Sequence, residues 1–180
     1  MTAKPGIKVI IVMGVSGSGK TTISQALAAR TGFIEQDGDG YHPAANVEKM
    51  KAGIPLTDAD RLPWLHAIAD AINNYADSNT PAIIACSALK RVYRDILVHG
   101  RKDVRIVYLE GSAELIAQRL RHRSGHFMPP GLLDSQVAAL DPPQPDEHIL
   151  TVNIAAPVER IADTVIAALH LPDKAGARAS

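Results

Sequence analysis

Short apolar runs rich in β-branched residues alternate along this chain with longer stretches whose apolar positions recur at helical spacing. Residues 7–13 read as a strand buried on both faces, because the segment is short, rich in Val and Ile, and unbroken in its apolar character over 9–13. A helix is predicted over 21–31, with Ile23, Leu27 and Ala28 apolar at helical spacing and Gly32 as its stop. Residues 33–36 form a short second strand. Helices are predicted over 43–52 and 62–75, separated by a polar stretch at 53–61. A third strand, 82–86, leads into a helix over 89–98; a fourth, 104–109, leads into a helix over 113–122. The segment 123–131 carries two glycines and two prolines and reads as a loop. A helix over 132–140, a strand over 149–154 and a closing helix over 158–169 complete the pattern, and residues from 171 onward are expected to fray.

Alternation of this kind predicts an α/β fold: a parallel sheet of about five strands with helices on both faces. In such sheets ligands sit beyond the carboxyl ends of the strands. The residues with chemical character follow strand ends, at 14–21, 37–39 and 87–94. At 180 residues, without an internal repeat, one domain accounts for the chain. Lys and Arg total 19 and Asp and Glu total 19, so the formal charge is zero, and aromatic residues make up 4%. That balance disfavours a nucleic-acid surface, which needs a basic face and stacking platforms. No apolar run exceeds five residues, far below the ~20 of a membrane span. The chain opens without a basic segment followed by an apolar one, so no secretory leader is expected. One cysteine, Cys86, cannot form an internal disulfide, which suits a reducing cytoplasm. The expectation is a cytoplasmic protein acting on a small molecule.

The strongest local signal is Gly14-Val15-Ser16-Gly17-Ser18-Gly19-Lys20-Thr21, which fits G-x-x-x-x-G-K-S/T between a buried strand and an amphipathic helix. Glycines let the backbone curl so that successive N–H groups face phosphate oxygens, and the following helix adds its positive end. Lys20 can reach the β- and γ-phosphates, and the Thr21 hydroxyl can ligate Mg²⁺. The whole stretch, through Thr22, is assigned to a nucleoside triphosphate and its metal.

Four further segments narrow the choice: Asp37-Gly38-Asp39-Gly40-Tyr41-His42-Pro43, Pro55-Leu56-Thr57-Asp58-Ala59-Asp60-Arg61-Leu62-Pro63-Trp64-Leu65, Cys86-Ser87-Ala88-Leu89-Lys90-Arg91-Val92-Tyr93-Arg94-Asp95, and Arg123-Ser124-Gly125-His126-Phe127-Met128-Pro129. With the phosphate loop, these resemble the gluconokinases of the small P-loop kinase type, relatives of shikimate kinase and adenylate kinase. The resemblance runs from about residue 8 to residue 168. It implies a three-layer P-loop kinase domain over 1–170, with an acceptor-binding region at about 40–80, a small lid at about 123–131 and a tail at 171–180. It also implies transfer of the ATP γ-phosphoryl group to the 6-hydroxyl of D-gluconate, with Mg²⁺, and it leaves a homodimer open.

Asp37 and Asp39 lie two apart after the second strand, a spacing that in extended chain puts both carboxylates on one side. The resemblance to shikimate kinase makes Asp37 the metal-side residue and Asp39 the hydroxyl-side one; Asp-Gly-Asp-Gly is equally the composition of a plain turn. An anionic acceptor calls for Arg or Lys. Arg61 leads, set in a polar loop with Asp58 and Asp60 that could instead simply pair it. Lys90 and Arg94 share a helix face, as substrate ligands or as solvated charge. His42 and His126 complete the acceptor set, with a capping role the alternative for His42. Arg119 and Arg123, near a helix end, are candidates to stabilise the transferring phosphoryl, or merely complement the helix dipole. Cys86 is expected to be a small core residue, and Trp64 to pack beneath the acceptor loop.

Overall fold

The computed structural model describes residues 6–123 and 131–176. Five strands, β1 (Val9–Met13), β2 (Ile34–Asp37), β3 (Ala82–Ala85), β4 (Val104–Glu110) and β5 (Leu150–Asn153), form one sheet in the order β2-β3-β1-β4-β5. Every pairing is parallel, with Val9 of β1 between Ala82 of β3 and Val104 of β4. The connections are made by α1 (Lys20–Thr31), α2 (Ala44–Lys51), α3 (Asp58–Asp77), α4 (Arg91–Val98), α5 (Ala113–His122), α6 (Leu132–Ala139) and α7 (Val158–Leu169). The predicted α/β class and strand count hold.

Why the central strand carries no polar residue follows from the layers. Ile10 and Val12 face one core with Ile23 and Leu27 of α1, Ile116 of α5, and Ile161 and Val165 of α7. Val9, Ile11 and Met13 face a second core with Leu65, Ile68 and Ile72 of α3 and Leu97 of α4. Period-2 alternation thus feeds both faces, and each fully buried aliphatic side chain stabilises by about 1.5–3 kcal/mol. β2 is an edge strand, and its Ile-Glu-Gln-Asp composition matches that exposed place.

Two expectations change. The polar stretch before Leu62 is not all loop. α3 begins at Asp58, because Thr57 accepts a hydrogen bond from the Asp60 N–H while the Asp60 side chain accepts from the Thr57 N–H. This capping box starts the helix four residues earlier than the apolar pattern does, and Pro63 lies inside it. Nor do residues 171–176 fray. Leu171 is buried against the α1–α7 core, Arg30 pairs with Asp173, and the Lys174 N–H donates to the Arg30 carbonyl at 2.8 Å.

Candidate active site

The ends of β1, β2 and β3 open onto a cleft of about 920 Å³. Gly14–Gly19 links β1 to α1, and Gly17 and Gly19 have φ of +82° and +96°, which L side chains rarely adopt. No side chain caps α1, and its first turn carries no acid, so its leading N–H groups and positive end are left for an external anion. A Cβ at Gly19 would come within 3.6 Å of Arg119 Nη1. Bare backbone and an arginine thus form one cradle, and its donors fit a polyphosphate. The Lys20 ammonium donates to the carbonyls of Gly14 at 3.0 Å and Val15 at 3.2 Å. Burial pushes its pKa down, opposed by Asp39 and other acidic neighbours. Ser16, Gly17, Gly19, Thr21 and Thr22 line the cleft; Gly14 and Val15 frame the loop's start, and Ser18 is buried beneath it.

Asp37 and Asp39 both line the cleft, although the chain between them is not extended. Asp37 ends β2, and a 3-10 turn, Gly38–Tyr41, follows. The Asp37 Oδ1 accepts from the Asp39 N–H at 2.9 Å. Gly38 is required there, since a Cβ would lie 2.6 Å from the Ala85 carbonyl. Burial, then the nearby Asp37, raises the pKa of Asp39. Thr21 and Asp37 present the hard oxygen ligands that suit Mg²⁺. Cys86 also lines the cleft, but burial lifts its thiol to about 12, so it is inert as a nucleophile.

Next to the acids, the His42 ring stacks on Trp64 with centroids 4.4 Å apart and planes within 10°. The indole N–H donates to the Gly38 carbonyl at 2.8 Å, which fixes the turn carrying Asp39. Asn46 donates to the Asp60 carbonyl at 2.8 Å and lies 3.3 Å from His42 Nδ1. Arg61 stands on the first turns of α3, 3.7 Å from the Asp58 carboxylate and 3.5 Å from the Tyr93 hydroxyl. Lys90 reaches both Asp58 oxygens at 2.9 Å, and Tyr93 donates to the same carboxylate. Asp58 therefore gathers Arg61 and Lys90 into one cationic patch at the start of α3.

Arg94 is a correction. Its side chain is 1% exposed and grips Glu147 at 2.6 and 2.9 Å, while Nη1 donates to the carbonyls of Ala88 and Leu89. With its donors committed inside the protein, it is not a substrate ligand. Arg119 and Arg123 both line the cleft; Arg119 donates to the Ile154 carbonyl at 2.5 Å and lies 3.5 Å from the Ser18 carbonyl. His126 lies outside the described residues. Sequence reasoning missed Gln136, whose side-chain oxygen accepts from the Ser16 N–H at 2.6 Å, and the Asn46 hub; it allowed for Asp58 pairing Arg61 but not for the reach of Asp58 to Lys90. Gln136 follows Asp134 and Ser135 in α6, so nothing in the local pattern singled it out. A second groove, about 1090 Å³, lies beside α4 and the start of β4, but it contains neither the phosphate loop nor the acid pair.

The model of the AAA domain family matches residues 9–143. The gluconokinase of Gluconobacter oxydans (strain 621H) is 46% identical over 153 residues, covering 85% of each chain. The crystal structure of a gluconokinase from Sinorhizobium meliloti 1021 is 42% identical, with a TM-score of 0.82 over 93% of each chain. A shikimate kinase from Bacteroides thetaiotaomicron, 17% identical, shares the fold with a TM-score of 0.68 over 91% of this chain and 98% of its own.

Proposed function

We infer that this chain, which belongs to the gluconokinase family, transfers the γ-phosphoryl group of ATP to the 6-hydroxyl of D-gluconate, giving 6-phosphogluconate. The observation that carries this reading is the cleft itself, which a lysine-bearing phosphate loop shares with two carboxylates, Asp37 at the end of β2 and Asp39 in the turn after it. The backbone from Gly14 to Thr22 holds the triphosphate. Thr21 and Asp37 would hold Mg²⁺, which would neutralise phosphate charge when bound. Lys20, Arg119 and Arg123 offset charge on the transferring group. Asp39 orients the hydroxyl and accepts its proton late, as suits a loose transition state. Its raised pKa brings it closer to the working range of a general base. Arg61 and Lys90 take the acceptor carboxylate, with Asp58 holding them until it arrives, and His42 meets acceptor hydroxyls. His126 joins this set on the family resemblance alone. Among the described residues, no helix is long and apolar enough to cross a membrane, and the compartment proposed is the cytoplasm.

Coupled ADP release across gluconate, shikimate and nucleoside monophosphates tests the reading. Gluconate should be turned over far faster than the others. Arg61→Ala should raise the gluconate KM with little change for ATP, because a carboxylate grip is made in both ground and transition states. Preferential turnover of another acceptor would overturn the proposal.

A further inference from the structure

We propose that Gln136 binds the γ-phosphoryl end of ATP and holds it in register with the phosphate loop. This deepens the reading of the cleft as an ATP site and rests on it. The starting point is one contact. The Gln136 side-chain oxygen accepts the Ser16 N–H at 2.6 Å across 120 residues of chain. It is also the one side-chain hydrogen bond by which α6 reaches beyond itself among the described residues; the Ser135 hydroxyl bonds back to the Leu132 carbonyl. α6 has no buried residue, and it leaves Leu132 and Val137 exposed. Beyond the partial packing of Leu133, Ala139 and Leu140, its place over the loop depends on Gln136.

Where Ser16 lies along the triphosphate follows from its neighbours. The N-terminus of α1, from Gly19 through Thr22, serves the α- and β-phosphates. The Lys20 ammonium, which bridges β and γ, sits on the Gly14 and Val15 carbonyls. Ser16 follows directly, so it marks the γ end, in the cleft shared with Asp37, Asp39, Arg119 and Arg123. With its oxygen engaged, Gln136 retains two amide N–H donors that have no protein partner among the described residues. Gln136 lines the same cleft. A neutral carboxamide can donate to a phosphoryl oxygen while holding Ser16; a carboxylate could hold Ser16 but would repel the phosphoryl group.

The test compares Gln136→Ala and Gln136→Glu with the wild type, using calorimetric titration with ADP and with a non-hydrolysable ATP analogue. A hydrogen bond to a charged group is worth about 10–100-fold in affinity. Both variants should lose about that factor for the analogue, Glu more than Ala, and stay within about twofold for ADP. A role confined to bracing Ser16 predicts that Glu binds both nucleotides like the wild type, or that both nucleotides weaken together; either result overturns the proposal, as does no change at all. Neither variant removes a buried side chain, and thermal melts check that each is folded. Because the readout is binding without acceptor, it is independent of whether gluconate is the acceptor. Loss of both nucleotides from the wild type would sink the ATP-site reading instead.

Discussion

Asp39 holds its proton more tightly than a free aspartate because it is buried and shares the cleft with Asp37. The consequence has a sign. An acid whose folded pKa is raised costs stability once the pH exceeds its unfolded value near ~4, since the unfolded chain ionises first. Below that value the cost vanishes. Asp39→Asn removes the charge and keeps the shape, so its thermal midpoint should exceed that of the wild type at pH 8 and converge with it as the pH falls toward ~4. The same change should cut kcat by about 10²–10⁴, the usual contribution of a general base. Melting curves across that pH range, with parallel steady-state rates, check both halves. A variant that is neither more stable nor slower would remove Asp39 from the site. The acid pair was legible in the chain from its spacing after a strand. A turn there was an alternative the composition offered; the need for glycine at 38 was not legible, because the Ala85 carbonyl that forces it lies 47 positions away.

At the scale of elements, α4 shows why helical spacing alone misled. Lys90 and Arg94 are four apart, yet Lys90 stands in extended backbone just before the helix and meets Asp58, while Arg94 points into the protein toward Glu147. Nothing local separates them; the partner that decides is a carboxylate in the turn Pro145–Glu147, far along the chain. Arg94→Met should therefore destabilise by about 3–5 kcal/mol, because Glu147 is left buried without its partner. Adding Glu147→Leu should recover most of that loss. Denaturant unfolding of the single and double variants measures it, and a double variant as unstable as the single would refute the ion-pair account. The same lesson applies to α3, whose polar opening turn is held by the Thr57–Asp60 capping box rather than by an apolar stripe.

Taken as a whole, the molecule closes its far end with its own tail. Arg30, at the end of α1 away from Lys20, binds Asp163 of α7 and Asp173 beyond it, and Leu171 fills the adjoining core. A chain ending at residue 170 loses one buried leucine, about 1.5–3 kcal/mol, and should melt roughly 3–12 °C lower. Its kcat at room temperature should be unchanged, since ten residues of helix put Arg30 about 15 Å from the phosphate loop. Differential scanning calorimetry and initial rates would show either outcome. The strand count and the helices on both faces were readable as a pattern of runs, while the strand order came only with the structure. This closure was not readable, because a short terminal stretch with one leucine carries no periodicity. The whole chain has a single tryptophan, and it is Trp64, whose indole lies flat against His42 beside the acid pair. Its ultraviolet emission is therefore a built-in optical gauge of that corner, needing no dye and no introduced label. Gluconate should change the emission and nucleotide alone should barely move it, so a fluorescence titration reads acceptor occupancy directly, even in variants too slow to assay.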